Sequence, residues 1–282
     1  MNSNNHLQFG RYFLPFFILI GFIFSYLSTL KWMVSRFSSD ESYYSHGFLV
    51  PFIILFIIYQ NKDSIVENLY QSSTFGFCLI IFSQLINISG KILYIQSLSG
   101  ISIFIFFFGL SLFLGGWGLS KILFFPLFFL LFMLPMPEAM ISSISNPLKE
   151  IVTDIGVSFI RTIGVPIFRE SFSIFLPNGQ LVVGDPCSGL RSIISLLALG
   201  LLYLYFSRDD SFWINIFLLF SIIPVAVFTN ILRVSFLIFA SYRWGTDSVS
   251  PDTIMHNISG MLIFLFSLII LHFFKKLLIC LN

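Results

Sequence analysis

Long apolar runs, broken by short polar joints, recur along the whole chain. A helix needs about 20 mostly apolar residues to cross roughly 30 Å of hydrocarbon. By that measure the pattern predicts eight spans, at about residues 12–30, 47–60, 75–95, 98–114, 119–136, 188–206, 212–240 and 257–279. The second is short and draws on its flanks. The third carries Asn87, Gly90 and Lys91, which mark it as the span to break or end early. A single run of this kind could be a signal peptide, but eight could not; the first, without a small-residue cleavage site or a clearly basic flank, is read as permanent.

The longest polar stretch, between spans five and six, has its own period. Ile141, Ile144, Leu148, Ile151, Ile155, Phe159 and Ile163 recur every three or four residues, as on one face of a helix. Lys149, Glu150, Thr153, Asp154 and Arg161 fall opposite. This predicts an amphipathic helix lying in the membrane interface, with Pro137 and Asn146-Pro147 punctuating its start. In residues 171–185 two alternating apolar runs then flank Pro177-Asn178-Gly179, a β-hairpin signal. A hairpin has edges of unpaired backbone groups, so it belongs at the membrane surface, leading into Cys187. The predicted architecture is therefore all-α: one polytopic bundle over residues 1–282, with an interfacial helix and a short hairpin before the sixth span.

Composition agrees and removes other classes. Hydrophobic residues make up 57% of the chain and charged ones 10%, too little polar surface to cover a soluble core. The net charge of +2 is spread without a basic cluster, so nothing points to nucleic acid. There is no internal repeat of the kind transporters carry. Three cysteines form neither a disulfide framework nor a metal-ligand spacing, and no metal or cofactor is predicted. Cys78 and Cys280 sit in apolar runs, where cysteine acts as a small hydrophobe. Cys187 does not.

Asp185-Pro186-Cys187-Ser188-Gly189-Leu190-Arg191 reads as the opening of span six, with an N-cap candidate, a proline at the first helical position and the thiol in the first turn. Exposed N–H groups there would favour the nucleophilic thiolate. Arg191, four residues on, would act in the same direction and Asp185 against it. In span seven Asn230 and Arg233 share a helical face, and an intramembrane arginine must point into protein or a wet cavity. His256 opens span eight. Because spans alternate in direction, the loops ending at Cys187 and His256, the end of span seven near Arg233, and the first loop with His46 all reach one membrane face. A thiol, an imidazole and a guanidinium gathered there have the makings of a nucleophile, a proton shuttle and a cationic stabiliser.

The blocks DPCSGLRS, NILR and HNISG, at residues 185–192, 230–233 and 256–260, resemble the signature blocks of the exosortase and archaeosortase family, as do SHGFLVP at 45–51 and LPMP at 134–137. The likeness covers residues from about 40 to 265. Asp185 stands where many members have Glu, and Pro186 where a small residue is commoner. His256 in the third block gives the chain a bacterial cast. The resemblance implies a membrane-embedded cysteine peptidase or transpeptidase with Cys187 as nucleophile, Arg233 at the oxyanion and His256 in proton transfer; Arg191, Asn230, Ser188 and His46 would support the site or bind substrate. Its partners would be exported proteins bearing a C-terminal sorting signal made of a Pro-containing motif, a transmembrane helix and a basic tail. It would cleave that signal and pass the acyl group to an acceptor.

Charge is nearly balanced between the two sides of the membrane. Lys275 and Lys276 favour a cytoplasmic C-terminus, and the family resemblance is the main ground for expecting both termini inside and the site on the outer side of the cytoplasmic membrane. A small permease or lipid-carrier flippase, holding an anionic group through Arg191 and Arg233, is the rival. It calls for polar residues spread over several midspans, whereas here they collect at one face. A non-catalytic scaffold leaves Arg233 unexplained.

Overall fold

The computed structural model describes residues 4–39, 42–69, 73–184, 188–207, 211–250 and 253–281. It is helical apart from one small sheet, and it divides into two compact units, residues 1–39 with 44–137 and residues 40–43 with 138–282. Among the described residues four helices are long and apolar enough to cross a membrane: Thr74–Ile92, Gln96–Met133, Phe212–Trp244 and Ile254–Cys280. Ser45–Gln60 and Leu190–Phe206 are apolar but shorter.

The first unit contains α1 (Asn4–Phe37), α2 (Val50–Gln60), α3 (Lys62–Glu67), α4 (Thr74–Ile92) and α5 (Gln96–Phe129), with 3-10 turns at Ser45–Phe48 and Leu130–Met133. Backbone approach decides the packing of α4 on α5. A Cβ added at Gly76 would lie 2.3 Å from the Phe113 amide nitrogen and 2.7 Å from the Gly109 carbonyl oxygen, so only glycine permits this contact. Within α5 the helical dihedrals fail at Gly115 and at Gly116, where φ is 57° and ψ −155°. Ser111 Oγ and Ser120 Oγ nevertheless meet at 2.9 Å. Nine residues of continuous helix would separate them by about 13.5 Å, so the chain doubles back at the glycines. The break falls in the gap predicted between residues 114 and 119.

A polar seam joins α1, α4 and α5. Tyr26 is fully buried, and its hydroxyl accepts from Ser102 at 3.0 Å. Asn87 Nδ2 donates to the Ser25 carbonyl at 3.2 Å and to Ser25 Oγ at 3.1 Å, and Lys91 donates to the same carbonyl. Ser25 Oγ in turn donates to Gln84 Oε1 at 2.6 Å. Asn87, Gly90 and Lys91 do not break α4, but the helix ends at Ile92, just past Lys91 and short of residue 95; the side-chain donors of Asn87 and Lys91 reach across to α1. Cys78 and Cys280 are both exposed, on α4 and on the last helix.

The second unit holds α6 (Glu138–Thr162), strands β1 (Phe168–Glu170), β2 (Ser173–Leu176) and β3 (Gly179–Val182), and helices α7 (Leu190–Phe206), α8 (Phe212–Trp244) and α9 (Ile254–Leu281). The predicted hairpin is β2–β3, with Leu176 paired to Gly179 across Pro177 and Asn178. A third strand, β1, adds to it by way of a tight turn in which Ser171 has φ 53°, so the element is a three-stranded antiparallel sheet. Ile174 and Leu176 face inward, into a core shared with Val152, Val157 and Ile160 of α6 and Val234, Leu237 and Ile238 of α8.

The α6 pattern is inverted relative to a soluble protein. Ile144, Ile151, Ile155, Phe159 and Ile163 are exposed, whereas Ser145, Lys149, Val152, Thr153, Gly156, Val157 and Ile160 are buried. The periodic stripe faces outward, as suits a lipid environment, and small residues do the packing: a Cβ on Gly156 would sit 3.4 Å from Ser235 Oγ. This corrects the expected polar face in two places. Lys149 lies inside, with Nζ 4.7 Å from the Phe172 ring centroid, and Thr153 bonds the Lys149 carbonyl. Glu150 and Asp154 stay outside, where Asp154 Oδ1 accepts from Arg169 at 2.8 Å. Pro147 is another correction, since it lies inside α6 and the helix begins at Glu138, just past Pro137.

Candidate active site

Three local structures position the polar side chains of the second unit. In α9, Thr253 precedes the first turn, and its Oγ1 accepts from the His256 amide at 3.4 Å, as an N-cap residue does for the third helical position. His256 is thereby fixed at the start of the helix. Ser259 and Gly260, three and four residues on, share its face. In α8, Asn230 and Arg233 occupy one face and are almost fully buried.

The guanidinium of Arg233, a residue only 9% exposed, is held from several sides. Its NH2 lies 3.0 Å from His256 Nε2 and its Nε 3.5 Å from Ser259 Oγ. Gly260 forms the wall behind it, since a Cβ there would come within 3.3 Å of NH2. Ser259 donates its own hydroxyl proton to the His256 carbonyl at 2.7 Å, leaving its lone pairs for Arg233. A guanidinium can only donate, so His256 Nε2 is the acceptor; the ring proton sits on Nδ1, aimed at the Val249 carbonyl at 3.3 Å. The imidazole is thus neutral, in one tautomer, with its basic nitrogen toward the arginine. The charge of Arg191 also acts on His256.

Cys187 lies outside the described residues, as do Asp185 and Pro186. The two residues that follow it are placed. Gly189 has φ 83° and rests on Asn230, whose Nδ2 would be 3.0 Å from an added Cβ. Ser188 is buried, and its Oγ accepts from the Leu190 amide at 3.2 Å. The predicted helix start at Pro186 needs correction: α7 begins at Leu190 with Gly189 as its N-cap, because a left-handed residue cannot continue a right-handed helix. Arg191 consequently stands in the first turn of α7, and the four-residue helical relation expected between it and position 187 does not hold.

The structure thus gathers Arg233, His256, Asn230, Ser188 and Arg191 in the second unit. His46 belongs to the first, where its Nε2 meets the Phe132 carbonyl at 3.0 Å beside Tyr44, whose hydroxyl accepts from the Met136 amide. Ser259, Gly260, Thr253 and Val249 were not predicted. The first two lie inside the HNISG block, and their three- and four-residue spacing from His256 was the available signal. Among the described residues no group of three His, Cys, Asp or Glu side chains could hold a metal ion.

The sequence profile of the transmembrane exosortases matches residues 32–273 of the chain. No curated protein and no solved structure gives a comparable match.

Proposed function

Since the chain belongs to the transmembrane exosortase family, a group of membrane proteins, we propose that it is a cysteine peptidase or transpeptidase acting on exported proteins that carry a C-terminal sorting signal. The observation that carries this reading is the buried contact between Arg233 and the basic nitrogen of His256, with Gly189, two residues past Cys187, resting on Asn230 of the same helix α8.

In the proposed reaction His256 Nε2 takes the proton of Cys187, and the thiolate attacks the scissile carbonyl carbon. The carbonyl π pair moves to oxygen, and Arg233 meets that negative charge. Collapse forms a thioester and expels the amine, which takes the proton from His256. An acceptor amine or water then attacks the thioester, loses its proton to His256 and releases the acyl product as the thiol is restored. The ground-state contact implies an order to these steps. While Arg233 NH2 holds Nε2, the imidazole cannot accept a proton, so Arg233 must turn toward the arriving carbonyl before His256 becomes a base.

The reading counts eight spans, with the two arms of α5 separate and α6 in the interface. Both termini lie in the cytoplasm, and the site faces the outer side of the cytoplasmic membrane. Replacing Cys187 by Ala in the native host tests it. Proteins with a Pro-containing motif, a C-terminal span and a basic tail should accumulate uncleaved in the membrane. Normal processing in a stably expressed C187A strain with no second enzyme of this kind would refute the assignment.

A further inference from the structure

Where α5 doubles back, its two arms diverge around a cavity of about 210 Å3 lined by Phe108, Trp117, Ser120, Lys121 and Phe124. Two aromatic pairs lead away from the reversal: Phe104 and Phe108 stack with centroids 6.1 Å apart on one arm, and Phe124 and Phe128 at 6.1 Å on the other. Trp117, Lys121, Phe124 and Phe128 follow one another at helical spacing on a single face. The cavity wall is therefore almost wholly apolar and largely aromatic, with Lys121 the one charged residue among those that line it.

Trp117 is 58% exposed, and Lys121 is exposed as well. Among the described residues no carboxylate forms an ion pair with Lys121. The Ser120 hydroxyl is already committed, donating to the Gly116 carbonyl at 2.9 Å and touching Ser111. A lysine and a tryptophan at the end of two apolar helices are the side chains that meet headgroups at a membrane surface.

We propose that this cavity binds one anionic phospholipid. Its phosphate lies against Lys121 Nζ and the indole N–H of Trp117, and one acyl chain runs between Phe108 and Phe124. Size supports an amphiphile: soluble ligands are enclosed by sites of about 300–1,000 Å3, whereas a lipid leaves most of its chains in the bilayer. Length supports it too. From Lys121 to Phe128 the helix rises about 10 Å, within the roughly 15 Å of hydrocarbon in one leaflet. The site is independent of the proposed chemistry, because every residue in it belongs to the first unit.

Native mass spectrometry of the full chain in a non-ionic detergent, titrated with phosphatidylglycerol or phosphatidylcholine, tests the proposal. One phosphatidylglycerol adduct should survive at lipid concentrations where phosphatidylcholine leaves none. Lys121→Gln should weaken that adduct roughly fivefold, the fold-change equivalent to the ~1 kcal/mol of one lysine at an anionic surface. Lys121→Arg should keep it, and Lys62→Gln should leave it unchanged. Equal retention of phosphatidylcholine, undiminished binding by Lys121→Gln, or equal loss in the glutamine and arginine variants would each overturn the proposal. Displacement of the adduct by inorganic phosphate would also overturn it, by showing a free-anion site.

Discussion

The two units each bury a polar cluster, and the clusters are built differently. In the seam of the first unit the donors of Asn87 and Lys91 end on the Ser25 carbonyl, and Tyr26 is held by Ser102. These bonds join helices, and nothing in them has to open. In the second unit Arg233 donates to His256 Nε2, a nitrogen that is useful as a base only once the bond is released. A polar group inside a membrane protein can be glue or chemistry. Here the distinction lies in whether a contact only joins one helix to another or also occupies a basic nitrogen.

Changes at Arg233 should separate the clusters most sharply. With Arg233→Ala, processing of sorting-signal substrates should be lost while the protein remains in the membrane. Arg233→Lys should also fail, because an ammonium cannot reproduce a planar fork that reaches both His256 and Ser259. Processing by the lysine variant at the wild-type rate would remove the argument for a guanidinium. His256→Ala comes next, with single-turnover cleavage expected to slow by roughly 10²-fold to 10⁴-fold. A slowing of under about tenfold would make His256 a brace for Arg233 rather than a proton carrier.

At the seam the order of effects reverses. Asn87→Leu removes two bonds to Ser25 and should cost about 1 kcal/mol, seen as a lower unfolding midpoint. Turnover per folded molecule should not change. A loss of turnover at full stability would mean that the first unit takes part in the chemistry.

Periodicity and composition revealed most of the fold. The isoleucine stripe of α6 announced a helix, yet periodicity alone does not say which side is inside. In lipid the apolar face can be the outer one, and residues as small as Ser145 and Gly156 can be the packing face. The break in α5 was legible as a gap between apolar runs, because two adjacent glycines supply the backbone freedom to turn there. Strand β1 was not, since Phe168-Arg169-Glu170 is too short to show alternation and is held by its pairing with β2. At the site, Arg233 and His256 stood out because charge is costly in an apolar run. The start of α7 misled: Asp185-Pro186 has good capping chemistry, but the left-handed Gly189 seated on Asn230 is a tertiary contact that no local pattern contains.

Of the changes around Arg233, Gly260→Ala should have the smallest effect, and it probes the contact between Arg233 and His256 most directly. The added Cβ would stand 3.3 Å from Arg233 NH2, tighter than ordinary van der Waals contact, and 3.5 Å from Cζ, within it. Gly260 lies within α9, where alanine is the better helix former by about 1 kcal/mol, so the fold should hold or tighten slightly. The guanidinium must yield by a few tenths of an ångström, which shifts it against His256 Nε2. Two outcomes then separate the reasons for the glycine. If the resting contact with Nε2 holds His256 out of action, loosening it should raise the base strength of the imidazole while spoiling the placement of Arg233. Turnover at saturating substrate should then fall several-fold with KM nearly unchanged, because only interactions made in the transition state are disturbed. If Gly260 serves only packing, kcat and KM should both match the wild type and the unfolding midpoint alone should move.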